Sequence, residues 1–436
     1  MQKINLKIVI GIVLTVFVFV SNKAIAQLPI SKYLIGQNAW GRGDIFKVTA
    51  DIKAVQYQTI RIGGNGYENG SFMNKDVVKY IDYAREVGAE PIVQMPRQLK
   101  DNDGALKAIR YLNGELGKNI KFWSIGNEPD HRNQLASPEE VFDYFTKIAA
   151  QIKSYDPEAK IMGFDLASYK DNYLSRLLGG DLDVTKNVPN QKYHYLDMVA
   201  FHNYRFKDIS GFEKDVKSLK QRLSLLNDKR DKKNQIGWAI TEFNSHWIVD
   251  ERLGDDFLPY NFQNGQIFAE MYDLGMREGA FTICPWSILE GGADREGTDL
   301  SMFDLMNGKF IPRSNYYHTQ MLSQNLKQNY LSHSSGQADL KVIPMGDKNG
   351  VVVMILNKSK TKKFTYVLNL DTKTKQSDPT RLSIKVDADK KASVQSEIKP
   401  SSTQMFIFSD KGKLVKTYTY SAEDEQAKRA PKITLF

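Results

Sequence analysis

Two glutamates at the ends of apolar runs are the residues of this sequence best suited to chemistry. Lys121-Phe122-Trp123-Ser124-Ile125-Gly126-Asn127-Glu128-Pro129-Asp130 is strand-like, rich in aromatic and β-branched side chains. A polar pair stops it, followed by a proline that cannot continue a parallel ladder. Further along, Ile236-Gly237-Trp238-Ala239-Ile240-Thr241-Glu242-Phe243-Asn244 repeats the design with a second glutamate. The carboxyl ends of parallel strands are where α/β proteins bind ligands and do chemistry. Two carboxylates gathered there are the equipment for cleaving a glycosidic bond. One is protonated and donates to the leaving oxygen; the other is ionised and attacks carbon.

The elements that must position this pair follow from hydrophobic periodicity. Short apolar runs at 33–38, 59–64, 91–96, 121–128, 160–166, 197–204, 237–244 and 279–287 read as eight strands. Between them lie amphipathic stretches at 76–87, 104–117, 138–155, 212–227 and 264–277, the pattern of repeated βα units. Ser137, Pro138, Glu139 and Glu140 mark one helix start, supplying a cap, a first-turn proline and acids at the positive end. Eight such units are the size of a (β/α)8 TIM barrel. The competing doubly wound sheet is disfavoured because Gly63-Gly64-Asn65-Gly66 lacks both the phosphate-loop lysine and the dinucleotide spacing. That glycine run either admits a bulky ligand close to the backbone or makes a turn.

From Tyr330 the period changes to two, with polar turns at Gly346-Asp347-Lys348-Asn349-Gly350 and Asp410-Lys411-Gly412. This reads as a C-terminal antiparallel β-sandwich. The expected organisation is a signal peptide over 1–26, the α/β barrel over 27–328, the sandwich over 329–421 and a tail over 422–436. Residues 1–26 carry Lys3 and Lys7, an apolar core from Ile8 to Val20 and a small-x-small site at Ala24-Ile25-Ala26. Export is therefore expected, secreted or periplasmic, with no membrane insertion once the signal is removed.

Composition narrows the function further. The net charge of +9 is matched by residues 327–436 alone, which carry 20 Lys/Arg against 11 Asp/Glu, so the barrel region is slightly acidic. Lysines spread over exposed strands protect edges, and no nucleic-acid module is present; nucleic acid is not an expected partner. The single cysteine, Cys284, lies in an apolar run and reads as a buried structural thiol. No His-Glu-x-x-His occurs, and Asp294, Asp299 and Asp304 lack calcium-loop spacing, so no metal and no cofactor are expected.

Counting strands puts Glu128 after the fourth and Glu242 after the seventh, and this pattern resembles glycoside hydrolase clan A. The motifs 122–130 and 240–244 look like its arabinofuranosidase, heparanase-like and agarase/porphyranase branches. The resemblance implies a retaining enzyme with Glu128 as acid/base, Glu242 as nucleophile, and Asn127 as a donor to the substrate hydroxyl beside the reacting carbon. It also implies roles for Arg61 in orienting the nucleophile, for His202 and Tyr204 as aromatic partners after the sixth strand, and for Trp286 as a sugar floor after the eighth. Arg61 also reads as an ion-pair partner in the barrel mouth, and His202 as a satisfied core histidine. Trp40, Tyr67, His131, Trp247 and Arg205 follow strand ends and are candidates for sugar subsites. Arg42, Arg97, Arg132 and Arg205 are candidates for gathering round a sulfate or carboxylate.

The expected partner is a poly- or oligosaccharide. Short loops after strands one, three and four favour an open cleft and endo action on a β-linked polysaccharide, of the agarase/porphyranase or glucanase kind. The alternatives are an exo-acting α-L-arabinofuranosidase or β-glycosidase, and a carbohydrate-binding protein without catalysis.

Overall fold

The computed structural model describes residues 27–40, 44–69, 75–132, 134–204, 208–245, 258–290, 300–374 and 380–436. All eight expected strand segments form, and they line up in chain order as one parallel eight-stranded sheet. These strands are β1 (Gly36–Ala39), β2 (Thr59–Ile62), β3 (Glu90–Met95), β4 (Phe122–Ile125), β5 (Lys160–Leu166), β6 (Met198–Asn203), β7 (Gly237–Phe243) and β8 (Ile283–Pro285). A parallel bridge between Ile35 and Ile283 closes the barrel.

The crossover helices follow their sequence signals. Pro138–Tyr155 begins with a full capping box, in which the Ser137 side chain and Glu140 exchange hydrogen bonds with each other's main chain. Phe262–Glu278 ends on Gly279 at φ 75, a left-handed cap that a residue bearing Cβ adopts only with strain. The stretch expected as one helix over 104–117 instead passes from α-helix (Gly104–Ile109) into a π-helical turn (Arg110–Glu115). Short helices at Thr49–Val55, Asp171–Leu177 and Ser314–Gln324 had no clear signal in the sequence.

The C-terminal part is two stacked sheets. One has seven strands and takes in Leu28–Pro29 from the start of the described chain and Lys432–Leu435 from its end. The other has four and contains one parallel pair, Phe364–Asn369 with Leu382–Val386. The expected tail after 421 is a capped helix (Ala422–Gln426) followed by an edge strand (Lys432–Leu435) that docks on the seven-stranded sheet.

The unbroken apolar run Val351–Leu356 has a simple cause. Its strand lies between two cores, so Val353 and Ile355 pack against the four-stranded sheet while Val352, Met354 and Leu356 pack against the barrel.

Polar contacts pin that second interface. Gln266 donates to the carbonyls of Asn357 and Ser402, both at 3.2 Å, and Lys358 pairs with Glu270. His318, fully buried, sits 2.9 Å from the Ser314 carbonyl through Nδ1 and 2.8 Å from Thr403 Oγ1 through Nε2. A neutral ring donating from Nδ1 and accepting at Nε2 satisfies both contacts, and burial pushes its pKa down to about 4. In the unfolded chain the same ring takes a proton near pH 6.5. The folded state therefore loses stability as pH falls from about 6.5 towards 4, by about 3 kcal/mol in all. Urea unfolding at pH 7 and pH 4.5 should show this loss in the wild type and a smaller one in His318→Asn.

Candidate active site

Alternation along the strands builds the site. In the bore, the lower layer is apolar: Ile92, Phe122, Met162, Met198, Ala200, Ala239 and Cys284 pack together. Two residues on, towards the carboxyl ends, the inward positions turn polar: Gln94, Ser124, His202 and Thr241, joined by Asn38 and Arg61 of β1 and β2, all fully buried. Strict alternation would point Glu242 away from the bore that Thr241 faces. Register irregularities between Phe201 and His202 and between Ile240 and Phe243 relieve this, and both side chains reach the barrel mouth. Glu128 reaches it from just beyond β4, with its backbone in the left-handed region at φ 43.

Arg61 is the hub. It is fully buried, and its Nη1 donates to Glu242 Oε1 at 2.6 Å and to Asn38 Oδ1 at 3.2 Å. Its Nη2 donates to Asn127 Oδ1 at 2.6 Å and to Asp165 Oδ2 at 3.0 Å. Tyr204 donates to the other oxygen of Glu242 at 2.6 Å. Glu128 receives Asn65 Nδ2 at 3.1 Å on Oε2 and faces His202 Nδ1 at 3.2 Å through Oε1. The same His202 nitrogen is 3.6 Å from Glu242 Oε2. His202 Nε2 is buried with no hydrogen-bond partner among the described residues, so Nδ1 is the nitrogen that serves the charges.

Titration differs from the sequence expectation. Burial acts to raise the Glu128 pKa, but the hydrogen bond and charge of His202, with Asn65 and His131, bring it below the ordinary carboxylate value. Burial acts to lower His202, but Glu242 and Glu128 raise it above the ordinary imidazole value. Of the two, His202 is thus the better seat for a proton, one hydrogen bond from Glu128.

Glu128, His202 and Glu242 offer ligand atoms within 4.8 Å of one another, a cluster that could also suit a cation. Each of the four carboxylate oxygens already faces a protein partner, and the arginine at 2.6 Å on Glu242 competes for the same charge. The arrangement is better matched to two carboxylates acting on opposite sides of one bond.

Trp286 and Trp40 pack at 4.9 Å between ring centroids, with Leu300 and Tyr204 beside them. Gly64 passes directly beneath, at φ +107. A Cβ there would stand 2.8 Å from Trp286 and 3.0 Å from Trp40, so the glycine run serves close approach as well as turning. Gly64→Ala is expected to tilt the Trp286 ring and raise KM for glycan about tenfold, at a stability cost of about 2 kcal/mol. Steady-state kinetics and thermal unfolding of the variant check both.

Among the residues expected from the sequence, Glu128, Glu242, Asn127, Arg61, His202 and Tyr204 meet in one network, and Trp286 and Trp40 form a wall beside it. Asn127 is held by Arg61 and Asn65. His131 lies against the Glu128 turn through its main-chain donation to the Glu128 carbonyl, and Tyr67 is largely buried in the core. Arg97 pairs with the buried Glu68 at 3.1 Å. Trp247, Arg42 and Arg205 lie outside the described residues. Residues the sequence reading missed are Asn38, Asn65, Ser124, Asp165 and Thr241. Asp165 is the one with a usable signal, an acid between Phe164 and Leu166 in an otherwise apolar strand.

Known proteins share this fold. The model of Glycoside hydrolase family 44 matches residues 18–210. Among solved structures, the α-L-arabinofuranosidase of Thermotoga maritima superposes with a TM-score of 0.63 at 16% identity, over 88% of this chain and 98% of that one. The xyloglucanase of Paenibacillus polymyxa, from family 44 and with xyloglucan, gives 0.57 at 12% identity over 88% and 97%. CelM2, a bifunctional glucanase-xylanase from a metagenome library, gives 0.59 at 13% over 88% and 97%. A comparison with curated protein sequences gives no match. The family match covers the segment that carries Glu128, and the barrel fold is shared along nearly the whole chain, so this chain is similar to the glycoside hydrolases of family 44 and shares its fold with arabinofuranosidases and xyloglucanases.

Proposed function

We propose that the protein is a retaining, endo-acting hydrolase of a β-linked polysaccharide, of the β-glucanase kind, working by double displacement. The observation that carries the mechanism is the short separation of the two glutamates across His202. Retaining pairs stand about 5–5.5 Å apart, whereas inverting pairs leave room for a water. Glu242, held between Arg61 and Tyr204, attacks the anomeric carbon. A proton moves from His202 Nδ1 to Glu128 and on to the leaving oxygen. Glu128 then takes a proton from water, which attacks the glycosyl-Glu242 ester and releases the sugar with its configuration retained.

The polysaccharide preference is supported by the family 44 match and by the short connections at the mouth. Ala39 leads within a few residues to a 3-10 turn at Ile45–Val48, and Met95 to another at Arg97–Lys100. An exo-acting arabinofuranosidase remains the second reading, favoured by the slightly higher TM-score of the arabinofuranosidase fold. Incubation with xyloglucan, β-1,4-glucan, agarose and arabinan, with early products sized, separates the two. Oligosaccharides from a β-glucan are expected. Arabinose released singly from arabinan, with the glucans untouched, would overturn the endo reading.

Export is part of the proposal. Residues 1–26 lie outside the described residues, and the expected mature start is Gln27. N-terminal sequencing of the protein recovered from a secreting host checks it; an intact Met1 on the exported protein would refute cleavage.

A further inference from the structure

Asp165 belongs to no role assigned above. It is fully buried near the end of β5, with its backbone at φ 49 and a register irregularity between β5 and β6 around Phe164 and Leu166. The irregularity turns its side chain into the bore, and a left-handed backbone is one that Asp tolerates better than most residues. Both of its carboxylate oxygens and its carbonyl oxygen are used. Oδ2 accepts from Arg61 Nη2 at 3.0 Å and from the Ser124 hydroxyl, and Oδ1 accepts from Thr241 Oγ1 at 2.7 Å. Its carbonyl accepts the main-chain N–H of Glu128 at 2.8 Å. One residue thus ties β2, β4 and β7 to the backbone of the acid/base.

Its charge matters as much as its grip. Arg61 carries one positive charge and divides it between two buried carboxylates, Asp165 at 3.0 Å and Glu242 at 2.6 Å. Were Asp165 neutral, the whole guanidinium charge would fall on Glu242, holding it more tightly and blunting its attack. The positive field at His202 would rise with it.

We propose that Asp165 is a positioning residue that draws off part of the Arg61 charge from Glu242 and seats the Glu128 main chain, and so sets the pH window in which the pair works. The inference rests on the assignment of Glu128 and Glu242 above.

The groups that face this window are few. Glu128 meets His202, Asn65 and His131; His202 meets both glutamates and Arg61; Glu242 meets Arg61, Tyr204 and His202. Asp130 interacts with His202 at longer range, and Glu290 with Tyr204. Around Asp165 itself stand Arg61, with Tyr144 and Cys284 nearby.

The test needs no turnover, so it stands apart from the choice of substrate. The imidazole nitrogens of the six histidines are followed by NMR against pH, with the His202 signal assigned by its loss in His202→Gln. Asp165→Asn keeps the shape and one acceptor oxygen, and the His202 midpoint is expected to fall by about one pH unit. The double variant Ser124→Ala with Thr241→Val keeps the carboxylate but strips two of its donors. Asp165 then draws harder on Arg61, and His202 is expected to titrate higher than in the wild type. A role in folding alone predicts no opposed movement. A His202 midpoint unmoved in Asp165→Asn, or shifted the same way in both proteins, overturns the proposal. Should Asp165→Asn fail to fold, the double variant decides: an upward shift supports the proposal and an unmoved midpoint rejects it. Where a substrate is in hand, the limbs of the kcat/KM profile should move with the His202 midpoint.

Discussion

Glu242→Gln is expected to lower kcat by on the order of 10⁵-fold while leaving the fold and glycan binding in place. An amide oxygen cannot attack the anomeric carbon, yet it still accepts from Arg61 Nη1 while the amide NH2 donates to the Tyr204 hydroxyl, and Arg61 keeps Asp165 as its charged partner. Thermal unfolding should therefore move little. Glu128→Gln should behave differently: the loss on polysaccharide is about 10²–10⁴-fold, because only proton transfer is removed. On an aryl β-glycoside with an acidic phenol as leaving group, the first step needs no proton. A burst of phenol followed by slow turnover is expected there, along with loss of the alkaline limb of the pH profile. Equal losses on both substrates would mean that Glu128 is not the acid.

Arg61→Met should be the most damaging single change to the scaffold. It removes four hydrogen bonds and leaves Asp165 and Glu242, both buried, without the cation between them. Breaking one side of a buried ion-pair set costs about 4 kcal/mol, read as the shift in the denaturant midpoint. One of the two carboxylates is then expected to take up a proton at neutral pH. Activity should fall by on the order of 10³-fold and recover in part as pH rises. Arg61→Lys, which keeps the charge without the fork, should recover stability better than rate.

The barrel was legible because its strands end abruptly in the sequence. Pro129 after Asn127-Glu128, and the polar steps at Arg61 and His202, mark where apolar alternation gives way to the mouth. Two-core burial and irregular register were not legible. The run Val351–Leu356 has no alternation to read because both of its faces are covered. Glu242 beside Thr241 violates period two, and only the neighbouring strands show why both face inward.

Asp165 was passed over because a lone acid within an apolar strand looks like an interruption until three other strands supply its donors. The pairing of Leu28–Pro29 with Asn329–Tyr330 joins residues far apart in the chain, and nothing in two short segments announces it. The tuning of Glu128 by His202 is likewise a contact between strands four and six that neither motif carries alone.

The central claim, that Glu242 forms a covalent glycosyl ester opposite Glu128, is tested most directly by trapping that ester. The protein is treated with 2,4-dinitrophenyl 2-deoxy-2-fluoro-β-cellobioside, digested, and its peptides sequenced by mass spectrometry. The fluorocellobiosyl mass is expected on Glu242 and on no other residue, with no label in Glu242→Gln. A label on a different carboxylate, or steady turnover of β-1,4-glucan with no residue ever labelled, would contradict the account.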